Sequence, residues 1–328
     1  MNERFTDAGE SAPRPQGYRW RPLTLEDAAA LADLLAACAP VDGATGPTMA
    51  TSDMAAILAR CGDLARDSLA AFDADGNMAA ACWLRSHPRL LAEYRVSIDG
   101  RVYPDHRRRG LGRYLLAWAE DRGRTLAAHE AGGRKLAIRI DFYDRSPDAV
   151  RLFERCGFRF SFAEDEMRRR LDEPIPPTST SVALSFTTWA SATSERFFAL
   201  YDDSFRTRPG FPNWSKQVWV TAFTGGDSFR PDLSLLASVD GVDVGYALTH
   251  MDQEMGKNVA WVVQMGVRPE WRRKGIAGAL LASLMQRYLL ADVSAVWLDV
   301  NANNPEAANL YRRMGFETVR RRVSYGKV

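Results

Sequence analysis

The stretches that decide the fold are PDHRRRGLG at residues 104–112 and PEWRRKGIA at residues 269–277. Each follows an apolar run typical of a β-strand and leads into an apolar stripe with helical spacing. Each therefore presents backbone N–H groups and cationic side chains at the N-terminus of a helix, where anions bind. Because this arrangement occurs twice, we interpret the chain as a duplication.

Length and composition are those of an ordinary two-domain protein. The 328 residues are 46% hydrophobic and 26% charged, which is enough for two cores of typical size. The 43 Lys and Arg residues are nearly balanced by 41 Asp and Glu residues, so the formal net charge is only +2. This balance argues against a broad nucleic-acid-binding surface, and any anion site must be local.

Membrane and metal-binding classes are also disfavoured. No apolar run approaches the ~18 residues that span a bilayer, and the first residues lack the apolar segment of a signal peptide. We therefore expect a cytoplasmic protein without a membrane partner. The four cysteines are widely spaced, with no Cys-x-x-Cys pair and no histidine at metal-ligand spacing. Free thiols and no bound metal are predicted.

The repeat extends beyond the two basic loops. Asp75-Gly76 and Asp240-Gly241 each separate two short apolar runs, a pattern typical of a β-hairpin. From the first copy to the second, the hairpin glycines, the prolines that open the loops and the leading arginines are all separated by the same number of residues. The two copies are therefore in register from the hairpin to the loop.

A proline-rich polar stretch, DEPIPPTSTS at residues 172–181, separates the copies and is typical of a semi-rigid spacer. We predict a disordered tail over residues 1–16, an N-terminal module over 17–171, this linker, and a C-terminal module over 182–328. Each module is predicted as helix, helix, three strands, helix, strand, helix and strands. That order makes a mixed α/β sheet covered by helices.

The arrangement resembles the GNAT superfamily of acyl-CoA N-acyltransferases. The family signature is Arg or Gln, two residues, Gly, one residue, then Gly or Ala at the start of a helix, and residues 107–112 and 272–277 both match it. The match is strengthened by two further features of both copies: a Val-x-Pro sequence leads into the loop, and a Gly-Phe pair follows later. The resemblance covers about residues 18–328. It implies an α/β protein of two tandem GNAT folds, each a mixed, mostly antiparallel twisted sheet flanked by helices.

The resemblance also implies that acetyl-CoA is the cosubstrate and that both loops contact its phosphates. Glycine at positions 110 and 275 allows the backbone to approach a diphosphate closely. The strand before each loop would offer main-chain groups to the pantetheine arm and the acyl carbonyl. The residues assigned to CoA on this basis are Val102, Arg107, Arg108, Arg109, Gly110, Leu111 and Gly112 in the first module, and Met265, Val267, Arg272, Arg273, Lys274, Gly275, Ile276, Ala277 and Asn304 in the second.

The two copies differ where the family usually carries its general acid. In many GNAT enzymes an Asn precedes the last helix and a Tyr follows seven residues later, where it protonates the departing thiolate; Asn304 and Tyr311 occupy these places. The first copy has Ser146 and Phe153, and a phenyl ring cannot donate a proton. We therefore expect the second module to be catalytic, and the first to bind CoA weakly or to serve as a scaffold.

Each of these two residues also has a structural alternative. Tyr311 would be an ordinary core aromatic if its hydroxyl simply found a partner in the protein. Asn304 is a good helix start because Pro305 follows it at the first helical position. The cap and the catalytic role are compatible with each other.

A general base cannot be assigned from the sequence. The Glu that many GNAT enzymes carry on the fourth strand is absent from residues 258–265. His250, Asp252 and Glu254 follow the preceding strand and are candidates to act through water, although polar residues at a strand end are usually just solvated.

An aromatic cluster lies where relatives place the helices that line the acceptor. The cluster is an apolar wall of the acceptor site, a part of the core, or a surface that binds a partner. The sequence does not decide among these three alternatives. The members of the cluster are Phe205, Phe211, Trp214 and Trp219.

The leading hypothesis is an N-acetyltransferase that moves an acetyl group from acetyl-CoA to a primary amine by direct attack in a ternary complex. A small-molecule amine is favoured over a protein, and we expect a monomer or homodimer without a nucleic-acid partner. The alternatives are a non-catalytic acyl-CoA-responsive binding protein and a mycothiol synthase-type or longer-chain acyltransferase. The acceptor stays open because acceptor pockets vary on this fold.

Overall fold

The computed structural model describes residues 12–42, 51–59, 61–87, 93–143, 146–208, 211, 213–254 and 256–328. They form two compact units. The first comprises the described residues up to Phe162 together with Arg322–Val328, and the second comprises Ala163–Arg321. This division differs from the predicted modules at their C-terminal ends, because residues 163–171 lie in the second unit and residues 322–328 lie in the first.

The first unit begins with a short strand that the sequence pattern does not predict. Its described helices are α1 (Ala28–Asp42), α2 (Thr51–Ala59), α3 (Leu64–Asp67), α4 (Leu111–Glu130) and α5 (Pro147–Arg155). Its strands are β1 (Arg19–Arg21), β2 (Ser68–Phe72), β3 (Met78–His87), β4 (Tyr94–Val102) and β5 (Leu136–Tyr143), followed by the start of β6 (Arg159–Arg170). Strands β1 to β5 lie side by side in chain order, with β4 and β5 parallel and the other pairs antiparallel. Residues 322–327 then pair antiparallel with β5.

The second unit repeats this plan. Its described helices are α6 (Ser194–Phe205), α7 (Lys216–Thr224), α8 (Ile276–Leu290) and α9 (Pro305–Arg313). Its strands are β7 (Ser185–Thr188), β8 (Leu235–Val239), β9 (Val242–Glu254), β10 (Lys257–Val267), β11 (Val293–Asn301) and the start of β12 (Glu317–Lys327). Strands β7 to β11 lie side by side, with β10 and β11 parallel. Residues 164–170 of β6 pair antiparallel with β11.

The predicted hairpins are present in both units. Asp240 and Gly241 both have positive φ angles, +49° and +80°, between β8 and β9. Two positive φ angles are what the tight turn of a two-residue hairpin requires. In the first unit Gly76 has a φ of +86° between β2 and β3.

The sheet of the second unit is buried on both faces. On one face, Leu280 and Leu284 of α8 pack with Val296 and Leu298 of β11 in one cluster of buried apolar residues. On the other face, α6 and α7 cover Tyr246 and neighbouring residues with a mainly aromatic cluster. Successive residues of β8 therefore serve opposite layers, with Leu235 in the first cluster and Leu236 in the second, as the period of two in a strand requires. Each fully buried leucine contributes roughly 2 kcal/mol to this core.

The linker is attached to the second unit at both of its ends. Arg169, which is 2% exposed, donates from Nη1 to the carbonyl of Met314 at 2.6 Å and from Nη2 to the carbonyl of Pro174 at 2.8 Å. At the other end the Ser181 N–H donates to the Lys274 carbonyl at 3.3 Å. Residues 172–181 are therefore packed onto the unit rather than suspended as a spacer.

Only the end of the predicted tail falls within the described residues. Ala12 is buried, and the Pro15 carbonyl accepts a hydrogen bond from Trp20 Nε1 at 3.4 Å. Residues 1–11 lie outside the part of the chain that the structure describes. None of the described helices is long and apolar enough to cross a bilayer.

Candidate active site

The two basic loops have the same backbone conformation. Arg108 and Gly110 have φ angles of +62° and +85°, and Arg273 and Gly275 have φ angles of +67° and +80°. In each unit the glycine is the N-cap of the following helix, α4 or α8. Left-handed residues beside a helix N-terminus turn successive N–H groups toward one side of the loop, which is an anion-binding arrangement.

The cationic side chains of the second loop mostly bind protein atoms. Arg272 donates from Nε to the Val267 carbonyl at 3.3 Å and from Nη2 to the Ser204 carbonyl at 3.1 Å. Arg273 pairs with Glu306 of α9 at 2.9 Å. The Lys274 ammonium lies 4.6 Å from the centre of the Trp271 ring. These contacts shape the loop, and they leave its backbone N–H groups as the donors best placed for a phosphate.

The first loop makes parallel contacts. Arg107 donates from Nε to the Val102 carbonyl at 3.2 Å and pairs with Asp42 at 2.9 Å, while Arg108 lies 3.5 Å from Asp148 of α5. In both units the second arginine of the loop, Arg108 or Arg273, thus pairs with a carboxylate of the helix that follows the fifth core strand, α5 or α9. In the second unit this exposed ion pair connects the loop to the helix that carries the predicted acid.

The strand before each loop separates from its parallel neighbour. Pairing of β10 with β11 ends at Val262 and Leu298, whereas pairing with β9 continues to Val267. In the first unit β4 leaves β5 after Ile98, and pairing with β3 continues to Val102. Backbone groups on the open side of β10, around Met265, therefore have no strand partner among the described residues. They are available to an extended amide-bearing arm.

Tyr311 lies on α9 with its ring in the core. The residue is 8% exposed, and its ring packs 6.0 Å from Phe316. Within the described ranges the hydroxyl makes no hydrogen bond to protein. Burial raises the pKa of the Tyr311 phenol to about 12. The phenol therefore stays protonated at neutral pH, as a proton donor must.

Asn304 caps the helix that carries Tyr311. Its Oδ1 accepts a hydrogen bond from the Ala307 N–H at 3.2 Å, and Pro305 occupies the first helical position. The cap role weighed in the sequence analysis is thus present in the structure. The cap hydrogen bond is made by Oδ1. A further role of this side chain in binding CoA stays a prediction.

The equivalent position in the first unit is enclosed by aromatic rings. Phe153 lies 4.9 Å from Phe142, 6.4 Å from Phe158 and 6.2 Å from Tyr325, measured between ring centres. A phenyl ring in this cluster offers packing and no proton. The asymmetry between the two copies is therefore also present in their surroundings.

The candidates for a general base are engaged elsewhere. His250 uses both ring nitrogens, with Nε2 at 2.7 Å from the Phe223 carbonyl and Nδ1 at 3.2 Å from Ser228 Oγ. Because a carbonyl only accepts, Nε2 carries a proton, so in the neutral ring Nδ1 accepts from the serine. Glu254 lies 3.6 Å from Arg168. Asp252 accepts from the Gln253 N–H at 2.7 Å and is exposed.

The predicted aromatic acceptor wall belongs largely to the core between α6, α7 and the sheet. Trp219 is fully buried, and Phe205, Phe211 and Trp214 pack against the same cluster. Sequence reasoning missed the polar residue at its centre, Gln264, whose Oε1 lies 2.9 Å from Trp219 Nε1 and 2.7 Å from the Tyr246 hydroxyl. A single Gln inside a strand carries no local signal for these contacts.

The linker lies directly against the second basic loop. A Cβ atom added to Gly275 would collide with the Ser179 carbonyl, and one added to Gly278 would lie 3.6 Å from the Thr178 methyl group. The first loop is more open, since a Cβ on Gly110 would meet only Pro15, at 3.6 Å. Among the described residues, no three His, Cys, Asp or Glu side chains are grouped closely enough to hold a metal ion.

Comparison with known proteins agrees with this geometry. The model of the acetyltransferase (GNAT) family matches the chain twice, over residues 30–158 and 186–316. A mycothiol acetyltransferase of Tsukamurella paurometabola is 30% identical over 244 residues, which are 70% of this chain and 77% of that protein. The crystal structure of a GCN5-related N-acetyltransferase from Sphaerobacter thermophilus has a TM-score of 0.81 and 27% identity, covering 96% of each chain. A tandem GNAT protein from the clavulanic acid biosynthesis pathway shares the fold, with a TM-score of 0.66 and 18% identity over 94% of this chain and 98% of that one.

Fold, site and comparisons define an acyltransferase built from two modules in tandem. The chain belongs to the GNAT family of acetyltransferases. The fold class and the family resemblance drawn from residues 107–112 and 272–277 are confirmed. Members of this family generally use acetyl-CoA.

Proposed function

We propose that this protein transfers an acetyl group from acetyl-CoA to a primary amine of a small molecule, and that the second unit is the catalytic one. The observation that carries the proposal is the buried Tyr311 phenol, which has no protein partner for its hydroxyl among the described residues. It lies on the helix that Arg273 and Glu306 tie to the basic loop. In the first unit Phe153 stands at the same place.

The reaction we infer is direct attack in a ternary complex. The neutral amine attacks the thioester carbon, and the C–S bond breaks as the tetrahedral intermediate collapses. The departing thiolate takes its proton from Tyr311, the amine nitrogen loses its proton to water, and the resulting phenolate regains a proton from solvent. Main-chain groups around Met265 and Val267 would hold the acyl carbonyl, so much of the catalysis comes from positioning the two reactants.

The basic loop of each unit is proposed to hold the CoA phosphates through its backbone. Helix α8 begins at Ile276, and the N–H groups of its first turn have no partner within the helix. Together with the helix dipole, they favour a doubly charged diphosphate. Arg272 and Arg273 act mainly by holding this loop in shape.

A pair of matched loop variants tests which unit is catalytic. Ala277→Glu and Gly112→Glu place a carboxylate at the same position of the two loops, where it repels a phosphate. CoA-thiol release from acetyl-CoA and mass detection of the acetylated product are followed over a panel of primary amines. Ala277→Glu should abolish turnover and Gly112→Glu should largely retain it. The reverse result would place catalysis in the first unit, and no turnover with any amine would overturn the reaction.

A second candidate acceptor comes from the mycothiol acetyltransferase relative, which is 30% identical over 244 residues. If its activity extends to this chain, the acceptor is an amine-bearing precursor of mycothiol. Including that compound in the same panel separates the two cases. A kcat/KM well above that of simple amines would select it.

A further inference from the structure

Gln264 lies where the parallel pair of the second unit opens. The β10–β11 pairing ends at Val262, and the register of β10 against β9 shifts between Val262 and Gln264. Gln264 is therefore the first residue of β10 beyond the irregularity, next to the backbone that is proposed to hold the acyl carbonyl. Its side chain is half-buried.

The orientation of the Gln264 carboxamide is determined by its neighbours. Trp219 Nε1 carries a hydrogen and can only donate, so the atom 2.9 Å away must be the amide oxygen. The Tyr246 hydroxyl, 2.7 Å from the same oxygen, donates as well. Both donors come from fully buried residues. The NH2 group is thereby directed away from them, and it has no partner among the described residues.

Three buried polar groups on the adjacent layer also lack partners among the described residues. Tyr201 and Ser204 of α6 are 3% and 8% exposed, and neither hydroxyl has a partner in the described part of the chain; the same holds for Trp214 Nε1. Tyr201 stacks 5.4 Å from Trp219, and a Cβ on Gly266 would lie 2.8 Å from Ser204 Oγ. Tyr201 and Ser204 thus lie at the same α6–β10 junction as Gln264, and the Trp214 ring stacks 6.4 Å from Tyr201.

The chemistry of these groups limits what they can bind. Gln264 and Trp214 offer N–H donors, Tyr201 and Ser204 offer hydroxyls, and none of the four is a carboxylate. A protonated amine has no lone pair to accept a hydrogen bond, and donating to the neutral amine would weaken the nucleophile. A donor held here by two buried side chains therefore fits an oxygen atom of the acceptor.

We propose that Gln264 is a specificity-determining residue that donates from Nε2 to an oxygen of the acceptor, so that the acceptors of this enzyme are amines bearing a hydroxyl or carbonyl oxygen close to the amino group. This inference rests on the proposed function. It adds the acceptor class to it.

The test compares matched amines in wild type and in Gln264→Glu. The carboxylate still accepts from Trp219 and Tyr246 but removes the donor. The probes are ethanolamine against propylamine and glycinamide against isobutylamine, and kcat/KM is expressed per concentration of free amine because the polar substituent also lowers the pKa of the amino group. We expect wild type to prefer the oxygen-bearing member in kcat/KM by about threefold to tenfold, the value of one hydrogen bond, and Gln264→Glu to lose this preference.

A control variant tests whether an added surface charge by itself changes the preference. Gln217→Glu makes the same change at an exposed position of α7 and should keep the wild-type preference. The KM for acetyl-CoA should stay within about twofold in Gln264→Glu. An unchanged preference in Gln264→Glu overturns the inference, as does a changed KM for acetyl-CoA alone, which would assign the donor to the acyl side.

A binding measurement distinguishes failure of this inference from failure of the proposed reaction. Calorimetric titration of the same amines into enzyme saturated with CoA requires no turnover. A preference for the oxygen-bearing amines that Gln264→Glu removes would support the inference even without catalysis. Equal affinity for the members of each pair would overturn it.

Discussion

The carbonyl of Ser179, in the linker, lies against Gly275, at the place where any other residue would carry its Cβ atom. Gly275 therefore meets two requirements at once: a left-handed backbone for the loop and room for a chain that packs across it. Gly110 meets only the first, because its Cβ position is open apart from Pro15. The linker thus makes the two loops unequal although their backbones match.

Replacing each glycine by alanine should separate these two requirements. Gly110→Ala should lower the free energy of unfolding by about 1–2 kcal/mol, because only the left-handed conformation of the alanine is unfavourable. Gly275→Ala has the same unfavourable conformation and must also displace the linker. We expect its loss of stability to be at least roughly twice that of Gly110→Ala. Calorimetric melting of the ligand-free variants measures the difference. Equal shifts in melting temperature would mean that displacing the linker requires no free energy.

Removing the Tyr311 hydroxyl should slow chemistry without unfolding the protein. We expect Tyr311→Phe to lower kcat by on the order of 10²-fold, the range of a single general acid, with little change in the KM for acetyl-CoA. The hydroxyl makes no hydrogen bond to the described residues, so stability should stay within about 0.5 kcal/mol. Steady-state kinetics at saturating amine provide the test.

A tyrosine of purely structural role serves as the control for this prediction. The Tyr288 hydroxyl lies 2.6 Å from Thr249 Oγ1 in the core. Tyr288→Phe should lower stability by about 1 kcal/mol and leave kcat near wild type. If Tyr311→Phe turns over as fast as Tyr288→Phe with chemistry limiting, Tyr311 is not the acid.

The pH dependence should show no loss of the acid in the ordinary alkaline range. Burial raises the pKa of Tyr311 to about 12, so the phenol remains protonated well above pH 10. We expect kcat/KM for the amine to rise as the free amine deprotonates and then to level off, without a descending limb below about pH 11. A rate that falls from pH 9 would assign the acid to another group.

The same shift affects stability at high pH. The folded pKa of Tyr311 is above the unfolded value near 10, so the contribution to stability is complete below pH 10. It is lost as the pH rises from about 10 toward 12, because the unfolded phenol ionises first. Tyr311→Phe should therefore flatten this part of a stability-against-pH curve. Parallel curves for the two proteins would contradict the assignment.

His250 should be structural. Its two ring nitrogens already bond Phe223 and Ser228, so His250→Gln should lower stability by about 1 kcal/mol with kcat/KM near wild type. Thermal melting and the pH profile of kcat/KM distinguish the two roles. A lost acidic limb together with a large fall in rate would identify His250 as the general base after all.

Local patterns in the sequence were sufficient for the elements around the loops. The hairpin turn at Asp240-Gly241 was recognisable because its φ angles require such residues, and the loops because glycine precedes an apolar helical stripe. Strands β1 and β7 were missed because three or four residues are too few to display a period of two. The proline-rich composition of the linker predicts a spacer, because composition does not reveal a buried partner such as Arg169.

The Gln264 contacts could not be predicted in the same way. Trp219 precedes it by 45 residues and Tyr246 by 18, and hydrogen bonds over such separations leave no periodic trace. The same limit applied to the candidate bases. The sequence placed His250 at a strand end, but only the folded chain brings the Phe223 carbonyl to its ring.

The amino-acid sequence alone was enough to identify a duplicated GNAT chain and the difference between Tyr311 and Phe153, because both depend on residue type at a fixed local spacing. The folded structure decided which strand completes which sheet. Strands β6 and β12 both carry three consecutive arginines, at residues 168–170 and 320–322, and nothing local distinguishes their partners. Residues 164–170 pair with β11 and residues 322–327 with β5, because strand pairing is a long-range contact that only the packed units can select.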